Sequence, residues 1–462
     1  TSLSLLSPLS LSLSGFQKLV PPSMAACYLL LLLLLQLDVN QSETLSRHSS
    51  PPSDFSISFP LTTVRLRRRR SSTQTTTSSS SAASLWSDKA PIVFRSRLQH
   101  ASVALVASLP FGTPPQLQEM EVDTGSQLPW VRCRSTIGRT KQQQRADPPG
   151  PTASFDPRLS TSFSVVPCNH PLCRPAKNAL PTSCGLGHRC RYSLFYADGT
   201  FAEGNLIEEK FDSRLPVALG CSNASTEGRG ILGMNLGSLS FASQSKVARF
   251  SYCVPRPGSR SSGSLVLGNN PVSGGFRYIR LLSLGGQPGR MPNYDPLAYT
   301  VALVGVRVNR RAVNVSATVF LPNANGSGQT MVDSATEFTY LVEEAYQAVR
   351  AEIARAEEGL LRGDGYAYQG ALDMCVAEGE RRRLARAVGE VAFVFEGGAE
   401  MAVAGGGNLV AGDGGMHCVA IGRSDALGIA GNVIGNFHQR GRWLEFDRES
   451  RRLGFSAVDD CA

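Results

Sequence analysis

From about Pro91 onward, apolar and polar positions alternate in short runs punctuated by Gly and Pro, as in "ASVALVASLPFGTPPQ", "CRYSLFYADGT" and "GSLVLGNNPVSGGFRYIRLL". A side-chain period of two, bounded by turn residues, predicts β-strands. The helical period is confined to a few places, chiefly "VEEAYQAVRAEIARAEEGLL", whereas "GEVAFVF" reads again as strand. The pattern therefore predicts a mainly β, all-β-class protein with a few helices. Before Pro91 the texture differs: Ser, Thr and Leu dominate, and runs such as "SSTQTTTSSSSAAS" cannot bury enough apolar surface to build a core. Residues 1–90 are accordingly set aside from the fold.

Within that stretch, Met24 is the first plausible start, and the leucine block after it has the length of a signal-peptide core and is too short to span a bilayer. Residues 1–40 are thus read as upstream residues and a signal peptide, and residues 41–90 as a low-complexity propeptide. Its basic run, Leu66 to Arg70, is expected to lie over an acidic cleft in a zymogen. A signal peptide implies the secretory pathway, with an extracellular, cell-wall or vacuolar destination rather than ER retention and no stable membrane anchor. The competing reading is a Ser-rich, acid-poor transit peptide to the chloroplast, which the leucine block disfavours.

Composition changes this picture in two ways. The net charge of +9 would suit nucleic acid, yet up to Ala90 there are eight Lys and Arg against four Asp and Glu, so almost half of the excess lies outside the folded part. No basic-aromatic stripe accompanies the rest, which excludes nucleic acid as a partner. Apart from Cys27, ten cysteines remain, an even number that suits disulfides in an oxidising compartment. Cys168, His170, Cys173, Cys184, His188 and Cys190 lie close together as zinc ligands do, but the gaps from Cys168 to Cys173 and from Cys184 to Cys190 are wider than paired zinc-ligand spacing. Disulfides are favoured, with zinc the minor alternative, and no metal or other cofactor is expected. Sequons at Asn40, Asn223, Asn314 and Asn325 fit the same compartment.

The chain also repeats itself. "MEVDTGSQLPW" at Met120 to Trp130 and "TMVDSATEFTYL" at Thr330 to Leu341 each run an apolar residue into Asp, a hydroxyl residue, a small residue and a second hydroxyl. Roughly a hundred residues after each comes an apolar-apolar-Gly element, Ile231, Leu232 and Gly233, then Val433, Ile434 and Gly435. One such Asp motif carries little weight, since residue frequencies give about a one-in-ten chance of meeting it in a chain of this length. Two copies, each with its own follower, predict two lobes of similar plan, 91–265 and 266–462, with the Asp loops between them. Facing carboxylates cannot both ionise, and a pair sharing one proton can activate water with one member and protonate a carbonyl with the other. The N–H groups of Gly125 and Ala335 and the hydroxyls of Ser126 and Thr336 are placed to donate to the carboxylates.

These motifs, together with "GTPPQ", "GILGMNLGSLSFASQ", "FSYC", "VIGNFHQRG" and "RRLGFS", resemble those of the pepsin-like aspartic proteases, in the plant nepenthesin-like group, from about residue 100 to Cys461. The resemblance implies a bilobal fold and a monomeric endopeptidase acting on protein or peptide substrates at acid pH. Asp123 and Asp333 would be the catalytic pair, and Thr124 and Ser334 the hydroxyls bonded across the lobes. Tyr196 would be the flap tyrosine, supported by Trp130, and the stretch from Cys168 to Cys190 the cysteine-rich insert of this group. Disulfides Cys253 with Cys461 and Cys375 with Cys418 are implied in the same way. Ala335 departs from the pattern, where Gly is usual; a methyl there is silent if φ is negative and strained if φ is positive. Glu121 and Pro129 also depart from it. The alternative is a pepsin-fold binding protein without turnover, like the xylanase-inhibitor relatives of this fold.

Overall fold

The computed structural model describes residues 56–65, 103–134, 153–174, 180–197, 199–225, 228–256, 262–283, 291–361, 365–459 and 461. The basic run at Leu66 to Arg70, Asn40 and the leucine block lie outside them. Among the described residues, no helix is long and apolar enough to cross a membrane.

Walking the chain, strand β1 (Ser56–Arg65) leads to β2 (Val103–Phe111), β3 (Gln116–Asp123) and β4 (Trp130–Arg132). The insert contributes β5 (Thr182–Cys184), followed by a long meander of β6 (Cys190–Phe195), β7 (Phe201–Phe211) and β8 (Leu215–Ser225). Then come β9 (Gly230–Gly233), β10 (Arg249–Val254) and β11 (Gly263–Gly268). The second half holds β12 (Thr330–Val332), β13 (Thr339–Leu341), helix α1 (Glu343–Ala356), helix α2 (Arg381–Val388), β14 (Asn432–Ile434), β15 (Arg442–Asp447) and β16 (Arg452–Ala457).

Helix α1 lies inside the segment with helical period and buries Ala345, Tyr346, Val349 and Ile353, one apolar stripe at i, i+1, i+4 and i+8. Helix α2, "RRRLARAV", carries too few apolar positions to reveal its period.

The two halves share a sheet. β10 pairs antiparallel with β15, setting Phe250 opposite Phe446 and Cys253 opposite Trp443, and β15 pairs onward with β16. On the other side, β10 pairs with β11, and β1 is inserted between β11 and β2. This last finding corrects the composition-based exclusion of residues 1–90: Ser56–Arg65 alternates like any strand and completes the sheet. Residue 265, where the sequence pattern divides the lobes, lies inside β11.

Under the sheet, Phe250 stacks on Phe446 at 4.9 Å and Tyr299 packs on Phe446 at 4.4 Å. These rings belong to one apolar core that runs through both halves. Among the described residues there are five disulfides: Cys133–Cys221, Cys168–Cys184, Cys173–Cys190, Cys253–Cys461 and Cys375–Cys418. Asn223, Asn314 and Asn325 are all exposed.

Candidate active site

Asp123 closes β3 and Asp333 directly follows β12, and burial of Met120 and Val122 in β3, and of Val332 in β12, aims the following loop at the middle of the molecule. The apolar-apolar-Gly element threads through each loop. β9 runs parallel to β3, with Leu232 beside Val122, while Ile231 faces Trp130 of β4. In the second half β14 runs parallel to β12, with Ile434 beside Val332, while Val433 faces Tyr340 of β13. Glycine is required at the end of both elements. A Cβ on Gly233 would lie 2.4 Å from the Gln127 carbonyl oxygen, and one on Gly435 only 2.0 Å from that of Phe338.

The two loops are locked by reciprocal hydrogen bonds. The Thr124 N–H donates to Ser334 Oγ at 3.0 Å, and the Ser334 N–H donates to Thr124 Oγ1 at 2.9 Å. Ser334 Oγ in turn donates to the Val122 carbonyl at 2.6 Å, and Thr124 Oγ1 lies 3.3 Å from the Val332 carbonyl. Both residues are buried, so the Ser334 hydroxyl satisfies an N–H and a carbonyl of the opposite half, and the Thr124 hydroxyl an N–H, that water cannot reach.

This lock brings Asp123 and Asp333 together: a Cβ placed on Gly125 would lie 3.2 Å from Asp123 Oδ1 and 3.1 Å from Asp333 Oδ2. The two carboxylates are served unequally. Asp333 is half-buried and accepts from Thr336 Oγ1 at 2.6 Å, Thr124 Oγ1 at 3.1 Å, the Thr336 N–H at 3.2 Å and the Ala335 N–H at 3.3 Å. Asp123 is buried and accepts from the Gly125 N–H at 2.8 Å. The Ser126 hydroxyl lies near Asp123 without reaching hydrogen-bond geometry; it and the Gly125 N–H draw the carboxyl pKa down. Burial, and then the charge of Asp333, outweigh them and push Asp123 up to about 7.

Ala335 has a φ outside the left-handed region. The extra methyl thus carries no backbone strain, and its N–H still donates to Asp333. Glu121 is half-exposed and acts electrostatically on Tyr196.

Over the pair stands a hairpin of β6 and β7, closed by a turn in which the Tyr196 N–H donates to the Thr200 carbonyl and the Gly199 N–H to that of Tyr196. Trp130 Nε1 donates to the Tyr196 hydroxyl at 2.8 Å, which ties the turn to the strand that follows the first Asp loop.

Several supporting residues escape a reading of motifs alone. Asn436 Nδ2 donates to the Ser334 carbonyl, and Gln439 Nε2 to that of Asp333, each at 2.9 Å. Gln439 is oriented by the Tyr252 hydroxyl at 2.6 Å. For Asn436 the signal was available: an Asn follows each apolar-apolar-Gly element, Asn436 right after Gly435 and Asn235 two residues after Gly233, where the loops need donors.

Two lobes of like plan, a shared sheet and paired Asp loops define a bilobal pepsin-like fold. The family described as "Xylanase inhibitor N-terminal" matches residues 106–269, and "Xylanase inhibitor C-terminal" matches residues 298–457. "Aspartic proteinase PCS1" of Arabidopsis thaliana is 35% identical over 391 residues, 78% of this chain and 83% of that protein. "Aspartic proteinase nepenthesin-2" of Nepenthes gracilis is 29% identical over 355 residues, 74% of this chain and 75% of that protein. The chain belongs to the pepsin-like aspartic protease family of plants, in its nepenthesin-like group. Among solved structures, that of edgp superposes with a TM-score of 0.59 at 15% identity, covering 89% of this chain and 96% of that one. Basic 7S globulin from soybean superposes with a TM-score of 0.52 at 15% identity, covering 78% and 95%. Likeness at that identity speaks for the fold alone.

Proposed function

We propose that the protein is an aspartic endopeptidase that hydrolyses peptide bonds at acid pH, with Asp123 and Asp333 as its catalytic pair. The observation that carries this reading is the unequal environment of two carboxylates held face to face. Burial favours the proton on Asp123, while Asp333 accepts four hydrogen bonds. The ionised member takes a proton from water as its oxygen attacks the scissile carbonyl carbon. The protonated member gives its proton to the carbonyl oxygen, forming a neutral gem-diol. Collapse of that intermediate returns one proton to the pair and sends one to the leaving amine. Thr124 and Ser334 hold the two loops in register, and Tyr196, oriented by Trp130, closes over an extended peptide. By family likeness the residues flanking the scissile bond are bulky and apolar, and the enzyme works in the extracellular space, cell wall or vacuole.

The test is cleavage of an unfolded protein between pH 2 and 8 by the parent, Asp123→Asn and Asp333→Asn. The parent should be most active in acid, and each variant should lose at least about a thousandfold, within the range of general acid–base catalysis. Full activity in either variant would overturn the assignment. A parent that cleaves nothing would move the protein to the binding class.

A further inference from the structure

The insert between Cys168 and Cys190 takes no part in holding the carboxylates, yet it reaches the cleft. A cavity of about 300 Å³ opens beside the pair. Its base is the chain just after the first Asp, from Gly125 to Leu128. One side is the hairpin, through Leu194 and Tyr196, and Leu297 faces it from the second half. The remaining wall is Leu180 and Pro181 of the insert.

That wall is built onto the hairpin. β5 pairs antiparallel with β6, setting Thr182 opposite Tyr192 and Cys184 opposite Cys190, and the Ser193 N–H donates to the Pro181 carbonyl at 3.2 Å. The hairpin thus has three strands. Two disulfides, Cys168–Cys184 and Cys173–Cys190, clamp the insert at the start of β6, six residues before Tyr196. Leu180 is buried in an apolar cluster with Leu128, Trp130 and Tyr192, so the wall, the hairpin and the base of the cavity share one packing unit. Pro181 sits exposed at the rim.

Resting on the endopeptidase reading above, we propose that the insert forms one wall of a substrate subsite, with Leu180 at its back and Pro181 at its rim, so that these two residues help to set which side chain the subsite accepts. The cavity has room for a leucine, methionine or phenylalanine side chain. A charged one would lose its hydration there against Leu180, Pro181, Leu194 and Leu297 without gaining an ionic partner. One methylene more or less in such a pocket is worth about 10- to 200-fold in kcat/KM.

The experiment is a cleavage-site profile on a mixed peptide library, read by mass spectrometry, for the parent, Leu180→Ala and Pro181→Asp. Pro181 is exposed, so its variant should fold, which the thermal melt checks. Pro181→Asp should lower the preference for apolar residues about tenfold at one position flanking the cleaved bond and raise lysine there, with the other positions unchanged. Leu180→Ala should shift that same position toward larger rings. Unchanged profiles, or a uniform loss of rate with all preferences intact, would overturn the subsite. If the parent cleaves nothing, the endopeptidase reading falls, and the subsite is decided by calorimetric binding of pepstatin, an uncleavable peptide with apolar side chains. Binding tenfold weaker in Pro181→Asp supports the wall, and equal binding overturns it.

Discussion

The two halves of the site use the same parts to different ends. In the first, Asp123 is buried and accepts one close hydrogen bond, from the Gly125 N–H, and the small residue of its motif is glycine. In the second, Asp333 is half-buried and has four donors, and alanine stands where its counterpart has Gly125. The glycines are not equivalent either. Gly233 and Gly435 face backbone carbonyls at distances no side chain can share, whereas a Cβ at Gly125 would meet carboxylate atoms at 3.1 to 3.2 Å, tight but open to small adjustments. Substitution at the Asp-hydroxyl-small motif is thus tolerable where substitution at the apolar-apolar-Gly element is not. That difference explains how Ala335 stands in an otherwise complete pair of loops.

The widest gap should appear when methyl groups are added to both kinds of glycine. Gly435→Ala should destabilise by more than about 4 kcal/mol in urea unfolding, because a fixed backbone oxygen lies inside the new carbon. Gly125→Ala should cost clearly less. Equal costs would erase the distinction between the two elements.

Next in size is the lock. Ser334→Ala removes the partner of the Thr124 N–H and of the Val122 carbonyl, and should cost about 1–3 kcal/mol per group left buried and unpaired. Thr124→Val should cost a similar amount, since it strips the partner from the Ser334 N–H. A Ser334→Ala variant as stable as the parent would show the lock to be ornamental.

A pH series separates the halves by sign. Asp123 is raised to about 7 from 3.8, so the folded state binds the extra proton, and its stabilisation is lost as pH rises from about 4 to 7. His438 in the second half is fully buried, bonded through Nδ1 to Thr339 Oγ1 at 2.8 Å, with no hydrogen-bond partner at Nε2. Burial, Arg440 and Arg442 push it down to about 3 from 6.5, so the unfolded chain binds the proton and stability is lost as pH falls below 6.5. Between pH 4 and 6.5 the two oppose each other. His438→Gln should expose stability that climbs as pH falls, and Asp123→Asn stability that drops as pH falls, each by up to about 1.4 kcal/mol per pH unit. Identical slopes in both variants would refute the opposition.

The smallest effect belongs to Ala335→Gly. With φ outside the left-handed region and the N–H already bonded to Asp333, the change should alter stability by less than about 1 kcal/mol and activity by only a few-fold. Rescue of an inactive parent by orders of magnitude would mean that the methyl displaces the carboxylate.

Much of this was legible in residues 103–461. The paired Asp loops, their apolar-apolar-Gly followers and helix α1 within its periodic segment follow from local pattern, and the family resemblance pointed to Tyr196 with Trp130. Other parts were not. Composition hid the strand at Ser56–Arg65, because a single alternating run in a Ser- and Thr-rich stretch gains its worth only from the two strands it lies between. The reading also missed Gln439 and Tyr252, whose roles depend on a contact across 187 residues of chain.

The repeated loops and their glycines could be read in advance because tight turns and close backbone approaches impose steric demands that few residue types meet. The loading of Asp123 with burial and of Asp333 with donors, the pairing of the six cysteines of the first half, and the reach of Leu180 into the cleft could not. Each is set by neighbours far away in the chain, whose burial and distance exist only once the two halves have packed against their shared sheet.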